Sequence, residues 1–305
     1  LMKRFVLGVV AIVTTVVGLY AVLLGPEELP PEPPEGNRTP IERVPENPSS
    51  TLSIGEGSLE IRRNDQDWLP LAAGEAISPG SDLRTGANVS ASLLYREGVT
   101  IRVFPESRLG LREQGDVLRL VVSEGVAIAD VQPESDTTVR FENESGELSA
   151  ETRNGRLGVL VTGDGTLEAA VTRGQATVRS GDESLTLEEG YRTTVRPGAA
   201  PPTPSKIPRS LLLKVRWPEQ STSKRRQRVS GTTNPGARVR VGDTIVRADG
   251  QGRFQATIQL REGNNTIRVF ALDATGRGET TSSPSIELDT RAPSATVETD
   301  PSMWE

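Results

Sequence analysis

The chain opens with a block that has no polar face: residues 5–24 read FVLGVVAIVTTVVGLYAVLL and carry no charge. At 1.5 Å per residue, a helix of this length spans about 30 Å, the thickness of bilayer hydrocarbon. Thirteen of the twenty are Leu, Ile, Val or Phe, and near the bilayer centre each favours insertion by roughly 0.3–0.6 kcal/mol. The pattern predicts a transmembrane helix within residues 1–25. Past it, no stretch repeats apolar side chains at helical spacing. Short runs alternate apolar and polar residues instead, with Gly, Asp, Asn and Ser between them, as half-buried antiparallel strands do. Strands are predicted at 99–103, 117–122, 137–141, 167–171, 176–180 and 185–187, and again at 211–217, 228–230, 238–241, 244–248, 254–260, 266–272 and 285–288. The fold class is therefore mostly β behind a single N-terminal helix.

Two proline-rich breaks divide the chain. Residues 26–53 hold eight prolines and six glutamates; such a segment builds no core and favours extended polyproline II, so a stalk is expected there. Residues 199–209 hold four prolines and read as a hinge. The β-rich stretches are then 54–198 and 210–290, with a tail at 291–305. Some seven short strands in about 80 residues match the size of a small immunoglobulin-like sandwich. A phrase of glycine followed by alternating apolar residues recurs at Gly57, Gly125 and Gly174, at unequal intervals of 68 and 49 residues, which reads as turn followed by strand. Asp249-Gly250 and Glu262-Gly263-Asn264 read as hairpin turns.

Charge and composition narrow the chemistry. There is no His and no Cys among 305 residues, which removes the Ser-His-Asp triad, thiolate and imidazole zinc sites, and disulfides. A Ser-Lys dyad is starved by the lack of any lysine between Lys3 and Lys206. Acid pairs such as Glu142 with Glu144 and Glu188-Glu189 read as solvated turn residues, and Asp249 and Asp273 as turn formers rather than calcium ligands. No catalytic, cofactor-binding or metal-binding residue is expected. Residues 1–205 carry 19 basic and 30 acidic groups, whereas 206–290 carry 15 and 8. That asymmetry suggests either docking of one half on the other, or a basic face for an anionic polymer or lipid head group. Lys224-Arg-Arg-Gln-Arg228 is the densest basic patch and is placed in a loop. Lys3 and Arg4 before the apolar run, and Glu27 and Glu28 after it, orient the N-terminus to the cytoplasm and the bulk of the chain outside it. The end of the run lacks Ala-x-Ala, so an uncleaved anchor is expected.

Two stretches resemble known families. Gly57-Ser-Leu-Glu-Ile61, Trp68-Leu-Pro-Leu, Pro79-Gly-Ser-Asp-Leu-Arg-Thr-Gly86, Ala91-Ser-Leu-Leu-Tyr95 and Gly98 through Pro105, Ser107, Leu109 and Leu111 resemble a FecR domain. Val229-Ser-Gly231, Asn234-Pro235-Gly236, Ala248-Asp-Gly-Gln-Gly252, Gly263-Asn-Asn265 and Asp273-Ala-Thr-Gly276 resemble the bacterial Ig-like module known as domain B of glucodextranase. FecR regulators carry a cytoplasmic anti-sigma region before their membrane helix, and here only four residues precede the apolar run. The architecture of anchor, stalk and two β modules without a catalytic inventory points instead to a membrane-anchored, extracytoplasmic FecR-like binding or scaffold protein of the bacterial envelope, single-pass in the inner membrane and non-catalytic. Two alternatives stay open: a FecR-type transmembrane signalling regulator, and an accessory protein that binds a carbohydrate polymer. Besides the membrane, the partner expected is an envelope protein or an anionic or carbohydrate polymer, and not nucleic acid.

Overall fold

The computed structural model describes residues 50–291 apart from 55–58, 64, 65 and 97. The expected anchor at 1–25, nearly all of the stalk and the tail past residue 291 lie outside these residues. Among the described residues every regular element is a strand, and no helix is long and apolar enough to cross a membrane. The strand Ser50–Ile54 begins inside the stretch read as stalk and pairs with Ala91–Tyr95 and Ala76–Ile77.

The first β-rich region consists of two large sheets. One runs, in spatial order, Ala76–Ile77, Ser50–Ile54, Ala91–Tyr95, Val99–Val103, the second half of Val117–Val131, Gly155–Val161, the first half of Leu167–Ser180, Tyr191–Val195 and Ser205–Lys206. All its pairings are antiparallel. The other runs Leu69–Pro70, Leu59–Arg63, Ser81–Thr85, Arg108–Gln114, the first half of Val117–Val131, Thr138–Asn143, Leu148–Thr152, the second half of Leu167–Ser180 and Glu183–Glu188. Only the pairing of Thr138–Asn143 with Val117–Val131 is parallel. Alternate side chains of both sheets meet in one core that includes Leu59, Ile61, Leu83, Leu120 and Phe141 from one and Leu93, Ile101, Leu157 and Val159 from the other. The alternation in the sequence is thus the alternation of core and solvent along each strand.

Two strands belong to both sheets, and this corrects the reading of their glycines as turns. Gly125 sits inside Val117–Val131 with φ 110°, and Gly174 inside Leu167–Ser180 with φ 75°. At both points the strand leaves one sheet and enters the other. Positive φ is open to glycine at little cost, and space forbids a side chain as well: a Cβ on Gly125 would lie 2.2 Å from Ser107 Oγ, and one on Gly174 2.5 Å from the Asn154 carbonyl oxygen. The Ser107 hydroxyl accepts a bond from the Val126 N–H at 2.9 Å and so satisfies a buried donor where the ladder is broken.

The second β-rich region has a three-stranded sheet (Leu213–Arg216, Arg226–Thr233, Arg253–Gln259), a four-stranded sheet (Thr244–Arg247, Arg238–Val241, Arg268–Leu272, Gly278–Ser282) and a small third one (Ser221–Thr222, Ile286–Leu288, Gly263–Asn265). They enclose a core of Val229, Val239, Val241, Phe254, Ala256, Val269, Ala271, Ile286 and Leu288. The two expected hairpins are arches instead. The strands on either side of Asp249 lie in different sheets, as do Arg253–Gln259 and Arg268–Leu272 on either side of Gly263. Turn chemistry sets a chain reversal but does not say whether the two arms will pair. Gly263–Asn265 itself becomes a strand against Ile286–Leu288.

Residues 199–209, read as a hinge, lie along the first region. Ser205–Lys206 pairs with Tyr191 and Arg192, Ile207 N–H donates to Gly190 O, and the carbonyls of Ala199 and Pro202 accept from Ser180 and Thr193. Prolines lack an N–H but keep a carbonyl, so the segment is held largely as an acceptor.

Candidate binding surfaces

Three places gather charged or apolar groups beyond what a core needs. The first is the junction between the two β-rich regions, which both lie in one compact unit of the chain. In the middle of the first sheet, Gly155–Val161 and the adjoining halves of the two long strands are buried on both faces. One face looks onto the core. On the other, Val126, Leu160 and Ala170 pack with Leu272 and Ala274 of the second region, flanked by Phe104, Ile207 and Phe270. The runs 126–129, 157–161 and 167–171 are near-continuous apolar stretches, the pattern of strands covered on both sides, which period two alone overlooks. The approach is close: a Cβ on Gly158 would stand 1.9 Å from the Ala274 carbonyl oxygen.

Arginines frame that apolar centre. Arg238, with only 8% of its side chain exposed, donates to the carbonyls of Pro105 at 3.0 Å and Glu106 at 2.9 Å and to Glu124 at 3.1 Å. Arg240 donates to Asn88. Glu168 of the first region is buried between Arg192 at 3.1 Å and Arg247 at 3.2 Å, and Arg192 also donates to Pro235 O. Burial pushes the Glu168 carboxyl above the usual carboxylate range, against the pull of the two guanidiniums. The acidic and basic halves meet here, so the charge asymmetry is partly spent on internal docking. Beside Glu168 a cleft of about 600 Å³ opens, lined by Asp164, Arg196 and Asp249 among others.

The second place is the solvent face of the other large sheet. Arg84 pairs with Glu60, Arg62 and Arg112 both pair with Asp82, Arg119 grips Glu142, and Arg140 and Arg179 both pair with Glu151. Trp68 lies against the guanidiniums of Arg84 and Arg62 at 4.5 and 5.1 Å. Burial opposes ionisation of Asp82 and Glu151, but their arginines outweigh it and hold both carboxyls below the usual range. Glu142 corrects an expectation: it is a buried strand residue held by Arg119 and not a solvated turn residue, whereas Glu144 is exposed. This face neutralises itself, and each such partly exposed pair contributes about 1 kcal/mol or less.

The third place is the outer face of the three-stranded sheet. Its outward positions are Lys214 and Arg216, then Arg226, Arg228, Ser230 and Thr232, then Arg253, Gln255, Thr257 and Gln259. Arg253 is held by Asp249 at 3.0 Å. Lys214, Arg216, Arg226 and Arg228 have no ion pair among the described residues. The basic run placed in a loop is therefore divided: Arg226 and Arg228 stand on a strand, Gln227 turns inward to Thr222 and the Lys224 carbonyl, and Arg225 pairs with Glu262.

The two aspartates weighed as calcium ligands spend their oxygens on their own loops. Asp249 accepts from the N–H groups of Gln251 and Arg253. Asp273, buried, accepts from Thr275 and from both backbone and side chain of Arg277, which fixes the loop that carries Ala274 to the junction. Among the described residues no three acidic side chains converge as a metal site would require.

No family model matches the chain, and no curated protein matches it by sequence. Among solved structures it is similar to two crystal structures of a presumptive anti-sigma factor from Parabacteroides distasonis. Identity is 9 and 10%, the TM-score is 0.36 for both, and the match covers 41% of this chain and 59% of each of those chains.

Proposed function

We propose that this chain is a membrane-anchored, extracytoplasmic, non-catalytic binding and scaffold protein of the bacterial cell envelope, with a FecR-like first module and an Ig-like second one. The observation that carries this reading is the junction. Arg238, the Glu168 cluster and the apolar patch around Ala274 tie the two modules into one body, which suits a display scaffold better than a hinged sensor. The apolar run at 5–24 and the proline-rich segment behind it support an anchor and a spacer.

The test is recovery of the full chain from bacterial membranes after cross-linking, combined with protease protection in spheroplasts. Retention in the membrane, digestion from outside and an envelope component in the cross-links are the expected results. A chain that fractionates as soluble would overturn the anchor. Recovery of a sigma factor without envelope proteins would favour the signalling alternative.

A further inference from the structure

We propose that the outer face of the three-stranded sheet in the second module is a binding site for an anionic polysaccharide, a polymer that carries carboxylates and hydroxyls together. The proposal deepens the binding role above and rests on it, but not on the membrane anchor.

The strand register lays out the face in rows. Lys214, Thr232 and Arg253 stand side by side, then Arg216, Ser230 and Gln255, then Arg228 and Thr257, then Arg226 and Gln259. Successive rows are about 6.8 Å apart, because side chains on one face recur every second residue at about 3.4 Å rise. The four cations that have no ion pair among the described residues therefore form a file, one per row, crossing from the edge strand to the middle strand over about 20 Å. That spacing is on the scale of a monosaccharide, and the file is long enough for several. Like charges on neighbouring positions repel, and a polyanion along the file relieves that repulsion.

The other outward groups select the kind of polyanion. Ser, Thr and Gln side chains donate and accept at once, so they match hydroxyls set between charges. No outward strand position is acidic or aromatic, and Asp249, which borders the face beside Lys214 and Arg216, is taken by Arg253. Lack of an aromatic removes the stacking platform by which single-stranded nucleic acid is held, and lack of an apolar side chain removes the wedge by which a surface enters a bilayer. The contrast with the large-sheet face is direct: there each acid in the ladder has its arginine, whereas here four cations have no acid among the described residues.

The experiment measures binding of the purified full chain, in detergent micelles, to polygalacturonate. Dextran, duplex DNA and anionic phosphatidylglycerol vesicles serve as comparison probes. Expected are saturable binding to polygalacturonate that weakens as salt rises, no binding to dextran, and weaker binding to DNA and vesicles. The double variant Arg226→Gln/Arg228→Gln should lose about tenfold in affinity, since each surface cation contributes on the order of threefold and the two factors multiply. The variant Arg102→Gln/Arg268→Gln removes the same charge from exposed positions on strands of other sheets and should change affinity less than twofold. Circular dichroism melts confirm that both variants fold. Absence of binding to polygalacturonate at low salt, equal losses in the two variants, or tighter binding to DNA or vesicles would each overturn the proposal. Envelope cross-links without polymer binding would leave the scaffold role intact; polymer binding by a chain found soluble would sink the anchor alone.

Discussion

A single methyl group at Gly158 is the sharpest probe of the junction. Gly158 lies mid-strand, paired on one side with Ile128 and on the other with Ala170, so its own sheet cannot yield. An added Cβ would stand 1.9 Å from the Ala274 carbonyl oxygen, against a floor of 3.0 Å for real contacts. The second module would have to back away by about 1.1 Å or tilt. That would loosen the packing of Leu272 and Ala274 on Leu160 and Ala170 and stretch the Arg238 bonds to Pro105 and Glu106. Overpacking of this kind costs roughly 1–3 kcal/mol. For a unit of this size each kcal/mol lowers the melting temperature by about 2–4 °C, so a drop of about 2–12 °C is expected. Differential scanning calorimetry measures it, and limited proteolysis between residues 199 and 209 reports the loosening. Gly163→Ala is the control, at an exposed site with nothing within 4 Å. If Gly158→Ala melts within a degree of both wild type and this control, with no new cleavage, the close approach of the two modules in solution is refuted.

Other expectations follow from the same geometry. Arg238→Met, which keeps the stem but removes the donors, should cost about 2–4 kcal/mol in chemical denaturation, because it orphans the Pro105 and Glu106 carbonyls. Ser107→Ala leaves the buried Val126 N–H without its acceptor and should cost about 1–3 kcal/mol. The lowered carboxyls of Asp82 and Glu151 contribute stability above the ordinary carboxylate range, and it is lost as pH falls through their folded values. Asp82→Asn/Glu151→Gln should therefore flatten the acid limb of a stability-against-pH curve. Glu168 has the opposite sign: its raised carboxyl contributes most below its unfolded value and less as pH rises through the folded one. Glu168→Gln should remove that decline, read from urea midpoints between pH 4 and 8.

Much of the strand pattern was legible. Val99–Val103 and Arg238–Val241 fall where the alternation puts them, since a strand with one buried face writes its orientation into every second residue. The polar edge strand Gly278–Ser282 was not legible, because its residues are exposed or half-buried and the ladder to Arg268–Leu272 holds it through backbone bonds. Nor were the crossing strands: a glycine at positive φ looks the same in sequence whether it ends a strand or bends one from sheet to sheet. Glu142 read as a turn acid because it is one of 41 acidic residues with no local sign of a partner, and only the parallel neighbour Val117–Val131 brings Arg119 onto it.

The sequence by itself determined a β-rich chain without imidazole or thiol chemistry, the core-facing side of the strands that alternate cleanly, and an excess of cations in the second half. It did not say which arginines a neighbour would cover: Arg226 reads as part of a loop and Arg238 and Arg240 as part of a strand, and neither reading tells which side chains stay in water. Tertiary structure decided that Arg226 and Arg228 stand exposed with no ion pair among the described residues, while Arg238 and Arg240 are drawn against the carbonyls of Pro105 and Glu106 and the amide of Asn88. Alternation records only which side of its own sheet a residue takes. Whether that side is later covered depends on groups far away in the chain, and here the separation reaches 152 residues.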